Sequence, residues 1–188
     1  MEYSIDYFYH QININQLLKY YNKEEVFKLC SECNNYNKNW SCPPHNVGIH
    51  SFLSNFDYMH IIVAKINLYN ENINSNDSIL KSFIIERKNF NNNLYNIFRD
   101  NINCEILISG ACDKCNLCNR VKNIKCFNRT ECKFSLESLG FRVDEIVKEI
   151  FKLEIMWINN KSAPKYLLNI GAVLSTKLNP INLEDYLH

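Results

Sequence analysis

The chain has 188 residues, 46% of them hydrophobic, with 21 Lys and Arg against 20 Asp and Glu. That length suits one domain burying about 70% of its unfolded surface, so an apolar core can form without disulfide staples. The charge balance excludes nucleic acid and anionic membrane as default partners, and the longest apolar runs, such as residues 61–64, are too short to cross a bilayer.

The opening segment carries no basic stretch followed by an apolar one, so a cytoplasmic protein is expected. Nine cysteines in a reducing compartment, most of them closely spaced and odd in number, favour metal ligation over disulfides.

In chain order, Asn15 is placed to cap a short helix over residues 16–21. Asn22 with Glu25 resembles a capping box for a second helix over 23–29, which delivers the chain to Cys30. Residues 30–46, rich in Asn and ending in Pro43 and Pro44, read as an irregular ligand loop. Residues 61–69 predict a buried strand and 70–77 a polar loop. From 78 to 98 the positions Ile79, Phe83, Phe90, Leu94 and Ile97 mark one face of a long helix capped by Asp77. Residues 102–109 predict a strand with Ile102, Cys104, Ile106 and Ile108 on one face, broken by Gly110. Beyond a second cysteine loop, 110–133, a turn over 135–139 ends at Gly140. Asp144 is placed to cap a helix over 145–152, and two strands, 153–158 and 166–176, are joined by a turn at 159–165. The expected fold is α+β: one domain, a mixed or antiparallel sheet with packed helices, and two cysteine-rich metal loops.

The chemistry rests on Cys112, Cys115 and Cys118, a Cys-x2-Cys-x2-Cys run, with Cys126 and Cys132 following. Such a run aims three thiolates at one centre while nearby N–H groups donate to sulfur, and Cys126 is near enough to supply the fourth corner of a 4Fe–4S cluster. Zinc is the competitor, because it also takes four thiolates, but it usually draws them from two separated pairs. The N-terminal group, Cys30, Cys33 and Cys42, offers three thiolates. Three could hold a second cluster with an open iron, could be completed by Cys126 or Cys132, or could close a zinc site with His45 or His50. Cys104, on an apolar strand face, reads as a core cysteine. His10, His45, His50 and His60 are scattered, and His45 is the one to test as a ligand. No phosphate-cradling loop, dinucleotide fingerprint or nucleophile elbow is present.

Cys30, Cys33, Trp40, Cys42, Pro43 and Pro44, followed by Gly110, Cys112, Cys115, Cys118 and Cys126, resemble the pattern of a family of predicted metal-binding proteins of unknown function from anaerobic bacteria and archaea. Ser135, Glu137 and Gly140 are similar too. Phe127 stands where the family commonly has arginine, and Cys132 is an addition to its usual cysteines. The resemblance implies metal binding and no particular reaction.

Between Cys112 and Lys133, six cationic residues (Lys114, Arg120, Lys122, Lys125, Arg129 and Lys133) face Asp113 and Glu131. Around an anionic cluster they would raise its potential and steer an acidic redox partner; otherwise they form a solvated basic loop. The expected function is therefore an iron–sulfur protein, with one cluster or two, serving electron transfer in anaerobic metabolism. The alternatives are a zinc-stabilised interaction module and a small iron–sulfur reductase or transferase with an open iron near Cys30, Cys33 and Cys42.

Overall fold

A computed structural model describes residues 2–69, 76–100, 103–158 and 164–176. Its elements are β1 (Tyr3–Asn13), α1 (Ile14–Leu17), α2 (Lys23–Cys30), α3 (Ile49–Leu53), β2 (Tyr58–Leu68), α4 (Asn76–Asp100), β3 (Glu105–Leu107), α5 (Val143–Ile146) and β4 (Tyr166–Ser175). Residues 159–163 of the expected turn at 159–165, most of the polar loop at 70–77, and Ile102 lie outside the described residues.

The strands form one sheet in the order β1-β2-β4-β3, every pairing antiparallel, which selects between the two sheet types left open above. Met59 through Ala64 are buried without interruption, as a strand covered on both faces requires. On one face Ile62, Ala64, Ile106, Ile108, Cys104 and Val173 pack beneath Phe90, Leu94, Tyr95 and Ile97 of α4. Cys104 is thus a core residue, as expected, and the two-residue periodicity of 104–108 is real. On the other face Met59, Ile61, Val63 and Leu174 meet Leu17, Tyr20, Leu53, Leu136, Phe141 and Ile146. Gly171 lets α4 approach β4, since a Cβ there would stand 2.6 Å from Leu94 Cδ1 and 2.8 Å from the Leu107 carbonyl.

Four expectations are corrected. β1 was not foreseen; its aromatic and polar side chains form a half-exposed edge strand with no continuous apolar run to announce it. The first helix begins two residues early: Asn13, extended at the strand's end, caps it by accepting from the Asn15 N–H at 2.9 Å, and residues 18–20 continue as a 3-10 turn. Asp77 and Asp144 lie inside the first turns of α4 and α5, so neither is the cap. Residues 153–158 form no strand. The preceding helix ends in a π turn over Val147–Phe151 with Lys152 left-handed, and the Glu154 N–H is taken by the Tyr166 hydroxyl at 3.1 Å in place of a ladder partner. Leu153 and Ile155 reach the core from this irregular segment. No helix among the described residues is long and apolar enough to cross a membrane.

Candidate metal centre

Each cysteine loop is tied to the scaffold at both ends. α2 starts at Asn22, whose side chain accepts from the Glu25 N–H and donates to its carboxylate, and this helix carries Cys30. The far end of the first loop is anchored by His45. Its Nε2 donates to the Ser138 carbonyl at 2.7 Å, its Nδ1 accepts from the Val47 N–H, and its ring packs on Phe27 and Phe134. Both nitrogens are engaged and burial lowers the imidazole pKa, so His45 is a neutral anchor in this arrangement. His50 lines a separate groove with Asn13, Asn15 and Asp57.

The second loop hangs from α4. Buried Asn91 exchanges two hydrogen bonds with the Ser109 backbone at the loop's start, and Tyr95 donates to the Glu131 carbonyl at 2.6 Å near its end. Gly110, at φ +72°, turns the chain out over Arg87. Lys133 pairs with Glu105 at 2.8 Å, and the Ile108 N–H donates to the Phe134 carbonyl.

The two loops, some 70 to 80 residues apart in sequence, are clasped together. Arg120 is 6% exposed and donates to the carbonyls of Asn39, Cys42 and Pro44 and to Asn37 Oδ1, with its guanidinium 5.1 Å from the Trp40 ring centroid. Asn39 Nδ2 donates to the Cys112 carbonyl, the Cys112 N–H to Ser41 Oγ, and Trp40 Nε1 to the Ile124 carbonyl. A planar donor inserted among backbone carbonyls satisfies an irregular loop that has no ladder of its own.

Two sulfurs already receive N–H groups: Cys118 Sγ from the Trp40 backbone at 3.4 Å, and Cys115 Sγ from Asn128 Nδ2 at 3.6 Å. Such donors stabilise a thiolate. Cys132 lies close enough to Cys112 and Cys126 for their thiols to perturb its own. Hydrogen bonding between the Cys112 and Cys132 thiols draws Cys112 down to about 6 and, with burial, pushes Cys132 up. In the first loop, burial pushes Cys30 and Cys42 up to about 11, and their neighbouring charges include Glu137 for Cys30 and Cys33 for both. Among the described residues, no three or more His, Cys, Asp or Glu side chains converge as a closed set around one ion. The thiols are neighbours arranged in loops, a donor set whose chemistry suits thiophilic metals.

Sequence reasoning missed two residues. Arg120, counted there as one charge of a basic run, is the buried clasp, and Lys133 is buried in an ion pair. Of the six cations, Lys122, Lys125 and Arg129 are the exposed ones. Glu137 entered only through the resemblance; it is half-buried, desolvation raises its carboxyl pKa, and it lies close enough to Cys30 to push that thiol up. Arginine in a loop carries no sequence mark of burial, because only the fold supplies the carbonyls around it.

No curated protein and no solved structure matches the chain. A family model matches residues 16–174, which include both cysteine loops and most of the sheet. The chain belongs to the family described as predicted metal-binding protein, DUF2284.

Proposed function

We propose that the two cysteine loops hold an iron–sulfur centre of the 4Fe–4S type and that the protein passes electrons to or from an acidic partner. The observation that carries this reading is the clasp: two distant thiol-rich loops are fastened face to face, with N–H groups already aimed at Cys115 and Cys118 sulfurs. Zinc would need thiolates but gains less from three cysteines at successive three-residue steps. The exposed cations Lys122, Lys125 and Arg129 flank Phe127, which is 81% exposed, on the same loop. A cationic rim around an apolar contact suits an acidic redox protein.

Anaerobic purification followed by iron, acid-labile sulfide and zinc quantification tests the centre. Iron with matching sulfide and broad visible absorbance is expected; zinc without sulfide rejects it. Changing Lys122, Lys125 and Arg129 together to glutamate should lower the midpoint potential, because the reduced form carries the greater negative charge. An unchanged potential would refute the electrostatic part.

A further inference from the structure

We infer that a second copy of this chain pairs with the outer edge of β1, joining two four-stranded sheets into one about a two-fold axis at Phe8. This goes beyond the proposed function and does not rest on it. In the order β1-β2-β4-β3, β1 ends the sheet, and among the described residues no strand other than β2 pairs with it. Natural edge strands are ordinarily blunted by proline, lysine, a bulge or shortness. β1 has none of these: it runs Tyr3–Asn13 without Pro, Gly or Lys, and matches β2 residue for residue from Tyr3↔Leu68 to Asn13↔Tyr58. It also precedes residues 16–174, the span shared with the family.

The ladder fixes which backbone groups the edge offers. The Tyr69 N–H donates to the Glu2 carbonyl and the Ile14 N–H to the Asp57 carbonyl, one at each end of the same register. Opposed residues of an antiparallel pair exchange bonds at alternate positions, so even-numbered residues of β1 bond to β2, and the backbone groups of Tyr3, Ile5, Tyr7 and Tyr9 point outward. A second β1 running antiparallel must therefore match odd residues with odd ones. Charge selects among those registers. Asp6 and His10 are exposed and lie on the Phe8 face of the strand. Within its own chain Asp6 receives the Asn67 amide at 2.8 Å, while Lys65, opposite it on β2, stands over the Tyr166 ring. His10 packs edge-on to Phe151. Centring the pair on Phe8 sets Asp6 opposite His10 of the second copy, twice by symmetry, with Phe8 against Phe8 on the axis and Tyr7 against Tyr9 on the other face. The Asp6 and Phe8 pairs then fall at the close, non-hydrogen-bonded positions, with Cα atoms about 4.5 Å apart, where an imidazole N–H reaches a carboxylate. Centring on Asp6 would oppose two carboxylates, and centring on Tyr7 would set Asp6 against Phe8. A patch that complements itself is what a two-fold dimer requires. The second cysteine loop follows β3 at the opposite edge of the sheet, and the first loop is clasped to it, so the contact leaves both free.

The test is the solution mass of anaerobically prepared full-length protein by sedimentation equilibrium, with metal content per chain measured on the same samples. Wild type should sediment at twice the chain mass; a monomer at the highest soluble concentration overturns the inference. His10→Asp opposes two carboxylates at each of two symmetric positions and should weaken dimerisation by roughly 10-fold. Asp6→His removes the carboxylate and should weaken it less. Combining the two exchanges the partners and should restore the wild-type affinity. Along one strand residues 6 and 10 are roughly 13 Å apart, so restoration reports contact between copies. Tyr7→Pro deletes an outward N–H, spares the β2 ladder and should abolish the dimer; if that variant fails to fold, the charge exchange decides alone. A dimer indifferent to His10→Asp, or a double variant as weak as His10→Asp, overturns the pairing. Metal content per chain should be equal in all variants, and a dimer that forms only in metal-loaded protein and survives Tyr7→Pro would place the contact elsewhere and overturn it too. Wild type that holds no metal yet dimerises in this way sustains this inference and defeats the proposed function.

Discussion

The sheet and the cysteine loops are stabilised by different means. In the sheet, long antiparallel ladders satisfy the backbone and apolar side chains fill both faces, so stability is spread over many interchangeable contacts. In the loops, a few polar groups carry most of the order: Arg120, Asn39, Ser41 and Asn128 satisfy the backbone or sulfurs, while Leu117 and Phe127 remain in water at 61% and 81% exposure. A region assembled in the first way keeps its shape without help, whereas one assembled in the second is coupled to whatever its donors bind.

The strongest test of that contrast is Arg120→Leu. It leaves the part-buried carbonyls of Cys42 and Pro44 without this donor and the Asn39 carbonyl with the Cys42 N–H alone, at a cost of about 3 kcal/mol in loop stability. Amide exchange across residues 37–44 should accelerate by roughly 100-fold while sheet amides change little. Equal acceleration in β2 would show that the two regions unfold as one.

Gly171→Ala is the converse. Its Cβ would press on Leu94, Phe90 and the Leu107 carbonyl, so global stability should fall by about 2 kcal/mol in denaturant unfolding. Thiol reactivity of Cys42 and Cys118 should barely change under native conditions. A large rise there would break the comparison.

Asn22→Ala acts at the junction, where the residue caps the helix that carries Cys30 and its N–H donates to the Gly140 carbonyl. A loss of about 1 kcal/mol is expected, visible as faster alkylation of Cys30 ahead of any change in the sheet. Alkylation unchanged at Cys30 would mean the helix start does not govern the loop.

The smallest effect is a pH dependence. Burial holds the His45 pKa below its ordinary 6.5, so in acid the unfolded chain takes up a proton that the folded one refuses. Stability from this group is therefore complete above pH ~6.5 and declines as pH falls below it. Comparing wild type with His45→Gln between pH 5 and pH 8, on the order of the histidine range, should show a shallower slope in the variant; identical slopes would remove His45 from the anchoring of the loop.

The fold was legible where a run of residues shares one environment. β2, α4, β4 and the alternation of 104–108 announce themselves because burial on one or both faces imposes a period on side-chain type. β1 and residues 153–158 were misjudged for opposite reasons. β1 earns its place through backbone pairing with β2 more than through an apolar pattern, while 153–158 has apolar residues that are satisfied by packing without a ladder. The first cap shifted by two residues because Asn13 and Asn15 both stand near the helix start and backbone geometry selects between them, whereas α5 starts from Arg142 with no side-chain cap at all.

The sequence by itself determined that cysteine chemistry is concentrated in two loops, that they flank an α+β scaffold, and that the family is one of predicted metal-binding proteins, because ligand spacing and apolar periodicity are local properties. Only the tertiary structure decided that the loops face each other, that Arg120 is buried between them, and that Cys112 and Cys118 both hydrogen-bond to residues 39–41 of the first loop. Those are relations between segments many residues apart. They follow from where a four-stranded antiparallel sheet and α4 deliver each loop, and no short-range pattern of residues encodes them.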